Sequence, residues 1–321
     1  MLFANILLLV ILRDSKNKQS IRYLFNIKNA MSNNIKSIES KNNSSFSVLA
    51  SVYYKETANN LNRCFKSIWD EQLLKPNQIV LIEDGPLTKE LYLTIAKWQS
   101  ILGDVLKLIV NESNIGLTKS LNKGIKVIDT DYIARVDTDD VSTPNRFADQ
   151  VVFLNENPDI AVVGGALQEY DVKHKNYYIR RYPLTHEEAL ATMYKLAPVA
   201  HPAAMIRTAI FKDAGLKYNE KYRYSQDMAL WFDIVQAGFK IANLNEVVLL
   251  FECGEDVFRR RDKRRALCEL KIFWKGISRL YGPITYKYIY CIMRYLLRLM
   301  PEWVTAKAYS SNLRKSMISR K

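Results

Sequence analysis

The amino-acid sequence predicts an α/β fold, in which a mostly parallel sheet is flanked by helices. Short apolar runs rich in β-branched residues alternate with helical periodicity between residues 46 and 136. Such alternation is typical of a parallel sheet with helices on both faces. The composition, 48% hydrophobic and 25% charged over 321 residues, is that of an ordinary globular protein. We therefore expect most of the chain to fold around this sheet.

Strands and helices follow one another regularly in the first half of the chain. The predicted strands cover 46–52, 78–85, 105–110 and 132–136. Helical periodicity runs through Leu61, Phe65, Ile68 and Trp69, and then through 88–102 and 114–128. After the fourth strand we expect a helix with Ser142 or Thr143 as its N-cap and Pro144 in its first turn. That segment ends in a further strand.

The second half of the chain is less regular and contains one clear amphipathic helix. This helix is predicted at 225–239, in the segment SQDMALWFDIVQAGF. The residues on its apolar face are Met228, Trp231, Phe232 and Val235. The simplest interpretation of this face is a packing surface.

The net charge of +14 comes from one end of the chain. Residues 259–321 contain 17 Lys and Arg against 3 Asp and Glu, whereas the two kinds are equal in number in residues 1–258. In the segment YKYIYCIMRYLLRLM, apolar and aromatic residues interleave with Lys and Arg, which predicts a cationic amphipathic surface. An anionic membrane would attract it. Alternatively, this end is a helical subdomain with a solvated basic face.

The first 45 residues are expected to lie outside the folded domain. The opening MLFANILLLVIL is too short to span a bilayer and lacks the basic start of a signal peptide. A polar stretch then runs from Met31 to Ser45, so either Met31 is the true start or residues 1–45 are a dispensable extension. The four cysteines show neither zinc-type nor disulfide spacing, which is typical of a cytosolic protein.

Carboxylates gather where the predicted strands end. Glu83 and Asp84 close the second strand, and YIARVDTDD places Asp137, Asp139 and Asp140 after the fourth. Like charges at this spacing repel one another, so we expect a cation among them. Mg²⁺ and Mn²⁺ take oxygen ligands and can carry a substrate diphosphate. A D-x-D step alone is also compatible with a solvated turn or a helix cap.

Six segments carry a wider pattern: FSVLASVYYKE, LIEDG, NIGLTKSLNKGI, YIARVDTDDVSTPNRFADQ, HPAAMIR and QDMALWFDIVQAGFKIANLNEVVLLF. In order and spacing they resemble the blocks of inverting glycosyltransferases of family 2, which have the GT-A fold. The end of the chain is similar to the subset that acts in bacterial capsule, exopolysaccharide or O-antigen assembly. The resemblance implies a GT-A domain at 46–258 and a basic, amphipathic helical region at 259–321.

The resemblance also implies a donor site at the ends of the strands. Tyr53, Glu56 and Asp84 would line the nucleoside pocket, with Asp84 as the partner of the base. Asp137 would face the ribose. Asp139, with Asp137 beside it, would ligate the Mg²⁺ or Mn²⁺ that bridges the diphosphate.

Three further residues near this site have less specific expectations. Arg135 and Lys119 are candidates for phosphate or nucleoside contacts, although Lys119 could equally lie on an exposed helix face. Asp140 either caps or braces the loop or ligates the metal directly.

Inversion at a sugar carbon needs one displacement, in which a base removes the proton of the acceptor hydroxyl. The resemblance gives this role to Asp227. Alternatively, Asp227 is a helix-start carboxylate that the helix dipole favours. Gln226 stands where the family usually has Glu, and Gln226, Trp231 and His201 are candidates for the acceptor side. His201 could equally be a packed, hydrogen-bonded residue.

The implied function is the transfer of one sugar from a nucleotide diphosphosugar, by expectation UDP-linked, to a growing glycan or a polyprenyl-diphosphate-linked acceptor. The enzyme would be cytoplasmic and peripherally bound to the inner face of the cell membrane, with no nucleic-acid partner. One alternative is a non-catalytic protein that binds membrane or nucleic acid through its basic region. Another is a sugar-1-phosphate nucleotidyltransferase, whose glycine-rich phosphate loop is missing from ASVYYKET.

Overall fold

A computed structural model of the chain describes residues 44–171, 175–253 and 263–300. Every described residue belongs to one compact unit, which begins at Ser44. The expectations for Met31 and for the extension at 1–45 therefore concern residues that lie, up to Asn43, outside the described part of the chain.

Strands and helices alternate along the described residues. The strands are β1 (Phe46–Val52), β2 (Gln78–Asp84), β3 (Leu106–Asn111), β4 (Tyr132–Arg135), β5 (Val141–Ser142), β6 (Ile160–Asp171), β7 (Asn176–Arg180), β8 (Met205–Arg207) and β9 (Lys240–Cys253). The helices are α1 (Ala58–Phe65), α2 (Lys89–Leu102), α3 (Leu117–Ile125), α4 (Arg146–Glu156), α5 (His186–Thr192), α6 (Ala209–Lys212), α7 (Gln226–Gln236), α8 (Lys263–Tyr281) and α9 (Tyr288–Leu299).

One sheet contains these strands in the order β3-β2-β1-β4-β8-β6-β9-β5, and β7 pairs with β6. The half formed by β3, β2, β1 and β4 is parallel, as predicted. In the other half β6 and β9 are parallel, while β8 runs antiparallel to β4 and β6. The predicted fold class is therefore confirmed, with an antiparallel insertion in the second half of the sheet.

Helices cover both faces of the sheet. Successive residues of a strand point to opposite faces of the sheet. The side chains of β1 and β2 therefore alternate between two buried clusters. Leu49 and Val80 pack in one buried cluster with residues of α3, α7 and α8. Val48 and Leu81 pack in a second cluster with residues of α1, α2 and α4. This two-sided burial explains the nearly continuous apolar runs of β1 and β2.

The predicted cap of α4 is wrong, because a strand occupies its place. Ser142 belongs to β5, which pairs with β9. Thr143 donates a hydrogen bond from its hydroxyl to the carbonyl of Val247 at 3.0 Å. The helix begins at Arg146, after Asn145. The Thr143 hydroxyl therefore stabilises the sheet edge instead of capping the helix.

The predicted helix at 225–239 is confirmed as α7, and its apolar face is buried. The C-terminal helix α8 packs along it. The rings of Phe232 and Phe273 meet edge to face with centroids 5.7 Å apart, and a Cβ on Gly276 would lie 2.4 Å from the Phe232 ring. In the described part of the chain, no helix has the length and apolar character needed to cross a membrane.

Candidate active site

The loop after β1 reaches the acidic segment that follows β4. One carboxylate oxygen of Glu56 accepts hydrogen bonds from the backbone N–H of Thr57 (2.7 Å) and the side-chain amide of Asn60 (3.1 Å). The other oxygen accepts a hydrogen bond from the hydroxyl of Thr138 at 3.1 Å. Tyr53, in the same loop, is exposed. The first loop is thus tied to the acidic segment and leaves an aromatic ring accessible beside it.

Asp84 lies at the end of β2 and is buried. Its Oδ1 accepts hydrogen bonds from the backbone N–H of Ile115 (2.8 Å) and the amide of Asn111 (3.1 Å). Its Oδ2 accepts one from the backbone N–H of Gly116 at 3.0 Å. Because each carboxylate oxygen can accept two hydrogen bonds, Oδ2 keeps capacity for a ligand donor. Asp84 therefore fixes the loop before α3 and can still meet a base.

The loops around Asp84 approach one another closely. Gly85 has a φ of +88°, and a Cβ there would lie 2.6 Å from the backbone nitrogen of Asn114. The amide of Asn114 donates to the carbonyl of Asp84 at 3.1 Å. Only glycine suits this conformation and this space. Lys119, on α3, is exposed to solvent.

Residues 137–140, which we call the acidic loop, bring three carboxylates together. The ligand oxygens of Asp137, Asp139 and Asp140 all lie within 4.8 Å of one another. A turn closes the loop, since the N–H of Asp140 donates to the carbonyl of Asp137 at 3.3 Å. Asp137 and Asp139 reach solvent, whereas Asp140 is buried and its Oδ2 has no hydrogen-bond partner.

Crowding of these carboxylates changes their protonation. Desolvation and the charges of Asp137 and Glu56 raise the pKa of Asp139 to about 6. Burial and the charges of Asp137 and Asp139 raise the pKa of Asp140 well above its ordinary value. A bound cation would reverse both effects, because it favours the ionised carboxylates. The site is therefore unfavourable without positive charge and suited to receiving it.

Arg146 donates hydrogen bonds to residues on both sides of the acidic loop. Its guanidinium is fully buried and donates to the carbonyl of Arg135 (2.7 Å) and the hydroxyl of Ser142 (3.0 Å). It also donates to the side chain of Gln150 at 3.3 Å, and Gln150 in turn donates to the carbonyl of Ala203 at 2.7 Å. Both ends of the acidic loop are thus fixed to α4.

Arg135 contacts the acidic loop, and its charge also acts on Asp227. Its side chain is 2% exposed and forms an ion pair with Asp137. Burial opposes the charge of Arg135, but the ion pair with Asp137 outweighs this effect and raises its pKa. Two of its buried nitrogens, Nε and Nη1, have no hydrogen-bond partner. Because buried guanidinium groups normally satisfy their donors, Arg135 is well placed to bind an anionic or hydroxyl-bearing ligand.

Asp227 lies in the first turn of α7. The preceding Ser225 has left-handed backbone angles, with a φ of +53°. Burial raises the pKa of the Asp227 carboxyl, while a hydrogen bond from the N–H of Met228 and the charge of Arg135 oppose the rise. Burial raises the pKa of Tyr218, and the charge of Asp227 adds to this rise. Asp227 is therefore close to Arg135, and it has the environment of a carboxylate that can accept a proton.

The acceptor-side candidates form a packed group behind Asp227. His201 is 8% exposed, and its Nε2 shares a hydrogen bond of 2.7 Å with the hydroxyl of Tyr218. Burial, together with the charge of Arg135, lowers the pKa of His201 well below its ordinary value. Trp231 is fully buried against His201, and Gln226 is buried at the start of α7.

The structure thus brings Glu56, the acidic loop and Asp84 to the carboxyl ends of the parallel strands β1, β4 and β2. Glu56 is hydrogen-bonded to the acidic loop, and Asp84 organises the loop before α3. Arg135 is ion-paired with the acidic loop, while Asp227 lies at the start of α7 with the acceptor-side candidates behind it. Among the described residues, no hydrogen bond or ion pair joins Lys119 to the acidic loop. Sequence reasoning overlooked the roles of Thr138, Arg146 and Tyr218; for the first two, the only signal was their place in the YIARVDTDDVSTPNRFADQ segment.

The acidic loop fits a hard divalent cation. Its three carboxylates offer only oxygen donors, which Mg²⁺ and Mn²⁺ prefer. The unpartnered Oδ2 of Asp140 is a buried acceptor that a cation or a coordinated water would satisfy.

Comparison with known proteins identifies the family of the chain. The sequence model of the family described as Glycosyl transferase family 2 matches residues 47–215. The chain is 30% identical to the amylovoran biosynthesis glycosyltransferase AmsE of Erwinia amylovora, over 83% of this chain and 98% of that protein. It is 26% identical to the UDP-Gal:alpha-D-GlcNAc-diphosphoundecaprenol beta-1,3-galactosyltransferase of Escherichia coli, over 84% of this chain and 97% of that protein.

Solved structures share the fold. S. aureus TarS 1-349 in complex with UDP-GlcNAc superposes with a TM-score of 0.53 at 18% identity, covering 82% of this chain and 83% of that one. The mannosyltransferase PcManGT from Pyrobaculum calidifontis, in complex with GDP-Man and Mn²⁺, gives 0.59 at 14% identity, covering 88% and 83%. These similarities assign the GT-A fold to the chain.

The two alternative interpretations are not favoured by these relationships. The names of the matched relatives describe glycosyltransferases, and neither describes a nucleotidyltransferase or a protein that only binds a partner. The family match spans more than half of the chain and includes the first loop, Asp84 and the acidic loop. With the fold and the site in agreement, the chain is a glycosyltransferase and belongs to glycosyl transferase family 2.

Proposed function

We propose that this enzyme transfers one sugar from a nucleotide diphosphosugar to a hydroxyl of a growing cell-surface polysaccharide, with inversion at the sugar carbon. The acceptor would be a glycan carried on polyprenyl diphosphate, and the donor a UDP-sugar. The lipid-linked substrate and the UDP-Gal in the name of the E. coli relative support both choices.

One observation carries this proposal: Arg135 is ion-paired with the acidic loop, and its charge also acts on Asp227. The loop suits a diphosphate with its cation, while Asp227 suits proton transfer. Arg135 forms an ion pair with Asp137, and its charge opposes the rise that burial causes in the pKa of Asp227. A donor held at the acidic loop would therefore present its sugar toward Asp227.

The donor would be held by residues from three loops. Asp84 would accept a hydrogen bond from the base, Tyr53 and Glu56 would line the nucleoside pocket, and Asp137 would face the ribose. Asp139, together with Asp137, would hold Mg²⁺ or Mn²⁺, which neutralises the charge of the departing diphosphate. The free nitrogens of Arg135 would donate to the diphosphate or to the sugar.

The chemistry would be a single displacement. Asp227 would take the proton of the acceptor hydroxyl as the acceptor oxygen forms a bond to the anomeric carbon. The bond between that carbon and the diphosphate oxygen breaks, and the nucleoside diphosphate leaves with the electron pair. Attack from the face opposite the leaving group produces inversion. Gln226, Trp231 and His201 would shape the acceptor side, with His201 acting through its hydrogen bond to Tyr218.

Two substitutions separate binding from chemistry. Calorimetric titration of UDP and GDP, with and without Mn²⁺, should show metal-dependent binding that Asp139→Ala abolishes. Asp227→Asn should bind nucleotide like the parent enzyme but lower kcat on the order of 10³-fold. Asp159→Asn, which changes an exposed carboxylate paired with Lys240, is the matched control. Metal-independent binding, or full turnover by Asp227→Asn, would contradict the proposal.

We also propose that the basic C-terminal region holds the enzyme at the inner face of the cell membrane. Residues 263–300 contain nine Lys and Arg and a single acidic residue, which is the buried Glu269. Apolar side chains are exposed beside these charges, among them Ile284, Ile289, Met293 and Leu296. This combination favours an anionic bilayer, because lipid head groups attract the charges while the interface accepts the apolar side chains.

Co-sedimentation with vesicles tests this association. Vesicles rich in phosphatidylglycerol should retain the enzyme, salt should weaken retention, and phosphatidylcholine vesicles should retain little. Ile284→Asp combined with Met293→Asp should weaken retention severalfold. Leu93→Asp, which changes an exposed apolar residue on α2, is the control. Retention on DNA without any retention on anionic vesicles would contradict the proposal.

A further inference from the structure

The helix α8 contacts the two residues that precede the start of α7. The thiol of Cys268 donates to the carbonyl of Tyr224 at 3.3 Å. The hydroxyl of Ser225 donates to Oε1 of Glu269 at 3.0 Å. Asp227 follows two residues later in the chain. The C-terminal helices therefore meet the backbone at the point where the direction of Asp227 is set.

Ser225 has a backbone conformation that needs support. Its φ of +53° and ψ of 32° lie in the left-handed region, which is disfavoured for residues with a Cβ. Among the described residues other than glycine, only Lys175 shares a positive φ. Such conformations persist where surrounding contacts hold them, and they are concentrated at functional sites. The hydrogen bond to Glu269 is the side-chain contact that holds Ser225.

Glu269 is itself held firmly. Its side chain is only 6% exposed. Arg298, on α9, donates to Oε1 at 2.8 Å and lies 2.8 Å from Oε2. From the described residues Oε2 accepts no hydrogen bond, but the charge-assisted hydrogen bond to Oε1 and the close ion pair at Oε2 restrict the orientation of the carboxylate. The acceptor that Ser225 uses is therefore rigid, and α9 contributes to that rigidity.

We propose that Glu269 is a positioning residue for catalysis. Held by Arg298, it keeps Ser225 in the left-handed conformation and so sets the direction of the Asp227 carboxylate toward the acceptor hydroxyl. This inference rests on the proposed role of Asp227 as the base. It makes the C-terminal helices part of the catalytic unit as well as a membrane-facing surface.

The charge of Glu269 gives a readout that a purely structural contact would not. Groups facing Asp227 come from several elements: Arg135 from β4, Glu269 from α8, and the hydroxyls of Tyr182 and Tyr218. Burial raises the pKa of Asp227, the charge of Arg135 opposes this rise, and the charge of Glu269 adds to it. Glu269→Gln keeps an acceptor for Ser225 but removes the charge. The acid limb of the kcat profile should therefore move to lower pH.

Substitutions at Ser225 test the hydrogen bond itself. Ser225→Ala and Ser225→Gly should each lower kcat on the order of ten- to hundredfold, because misdirection of a base by a fraction of an ångström is costly. Ser225→Asn, which tolerates a positive φ and can donate to Glu269, should recover most of the activity. Metal-dependent binding of UDP should change less than about twofold in all three variants.

A control in the same pair of helices isolates the effect. Arg279, on α8, donates to Asp233 and Gln236 near the far end of α7, so Arg279→Gln disturbs helix contact without touching Ser225. Its kcat should match that of the parent. If Ser225→Gly turns over like the parent, or if Glu269→Gln leaves the acid limb in place, the inference is wrong. Absence of transfer by the parent enzyme, in contrast, would indicate failure of the proposed function itself.

Discussion

Arg146 illustrates how a charged side chain can serve the structure of a site without facing its ligand. It is completely buried and donates to the carbonyl of Arg135, to Ser142 and to Gln150. These partners lie on both sides of the acidic loop. The cost of burying the guanidinium is offset by these hydrogen bonds, which leave the loop with fixed ends. The rigidity of the acidic loop therefore depends on Arg146, although Arg146 donates no hydrogen bond to the carboxylates of the loop.

Replacing Arg146 should destabilise the fold strongly. Arg146→Met removes three buried hydrogen bonds and leaves their acceptors unsatisfied, so we expect the free energy of unfolding to fall by about 3–5 kcal/mol. Urea unfolding measures this loss. As a control, Lys240→Gln breaks an exposed ion pair with Asp159 and should leave the free energy of unfolding nearly unchanged. Equal losses in the two variants would show that Arg146 has no special structural role.

His201 should make stability depend on pH. Its folded-state pKa lies well below its ordinary value of about 6.5, so below that pH the unfolded chain binds a proton that the folded chain excludes. Stability is therefore fully present above pH 6.5 and falls as the pH drops, by at most about 1.4 kcal/mol per unit. In His201→Gln this contribution should be missing from urea unfolding between about pH 5 and 7. Identical pH dependence in both proteins would refute the prediction.

At the scale of elements, the contact between α7 and α8 is unusually close at Gly276. A Cβ at this position would lie 2.4 Å from the ring of Phe232. In an open helix, Gly→Ala stabilises by about 1 kcal/mol through helix propensity. Here the steric cost of overpacking, about 1–3 kcal/mol, is larger. The glycine therefore allows the two helices to touch along their length.

Gly276→Ala should consequently destabilise the protein rather than stabilise it. We expect a net loss of about 1–2 kcal/mol in urea unfolding, because the ring of Phe232 must shift. Lys275→Ala, at the neighbouring exposed position of the same helix, should stay within about 0.5 kcal/mol of the parent. A stabilised Gly276→Ala variant would mean that the helices separate easily.

At the scale of the whole molecule, the basic C-terminal helices belong to the main core. Ile272, Phe273 and Ile277 of α8 are buried in the cluster that contains Leu49 of β1 and Trp231 of α7. Each fully buried side chain of this size contributes about 1.5–3 kcal/mol. These helices therefore stabilise the fold.

Deleting residues 263–321 should prevent stable folding. The three buried side chains alone represent about 5–9 kcal/mol, which is comparable with the total stability of a typical domain. The truncated chain should accumulate in the insoluble fraction or lack a cooperative unfolding transition. A truncated protein that unfolds at the same urea concentration as the parent would show that α8 and α9 are independent of the sheet.

The sequence predicts some features of this molecule much better than others. The ends of β2 and β4 are predicted to within one residue, because buried apolar runs stop where Asp84 and the acidic loop begin. The two-residue strand β5 is not predicted, since its conformation depends on pairing with β9 about a hundred residues later. Glu269 looks like one charge in a basic helix, and its contact with Ser225 emerges only when the helices pack.

The acidic loop joins two strands that lie far apart in the order of the sheet. It leaves β4, the fourth strand, and enters β5, the last, with β8, β6 and β9 between them. Shortly after the loop, Thr143 donates hydrogen bonds to the carbonyls of Val247 and Val248 in β9. A chain emerging from the ribosome up to residue 239 lacks that anchor. The proposed donor site is therefore completed late in synthesis, and nascent chains stalled before β9 should be unable to capture a sugar nucleotide.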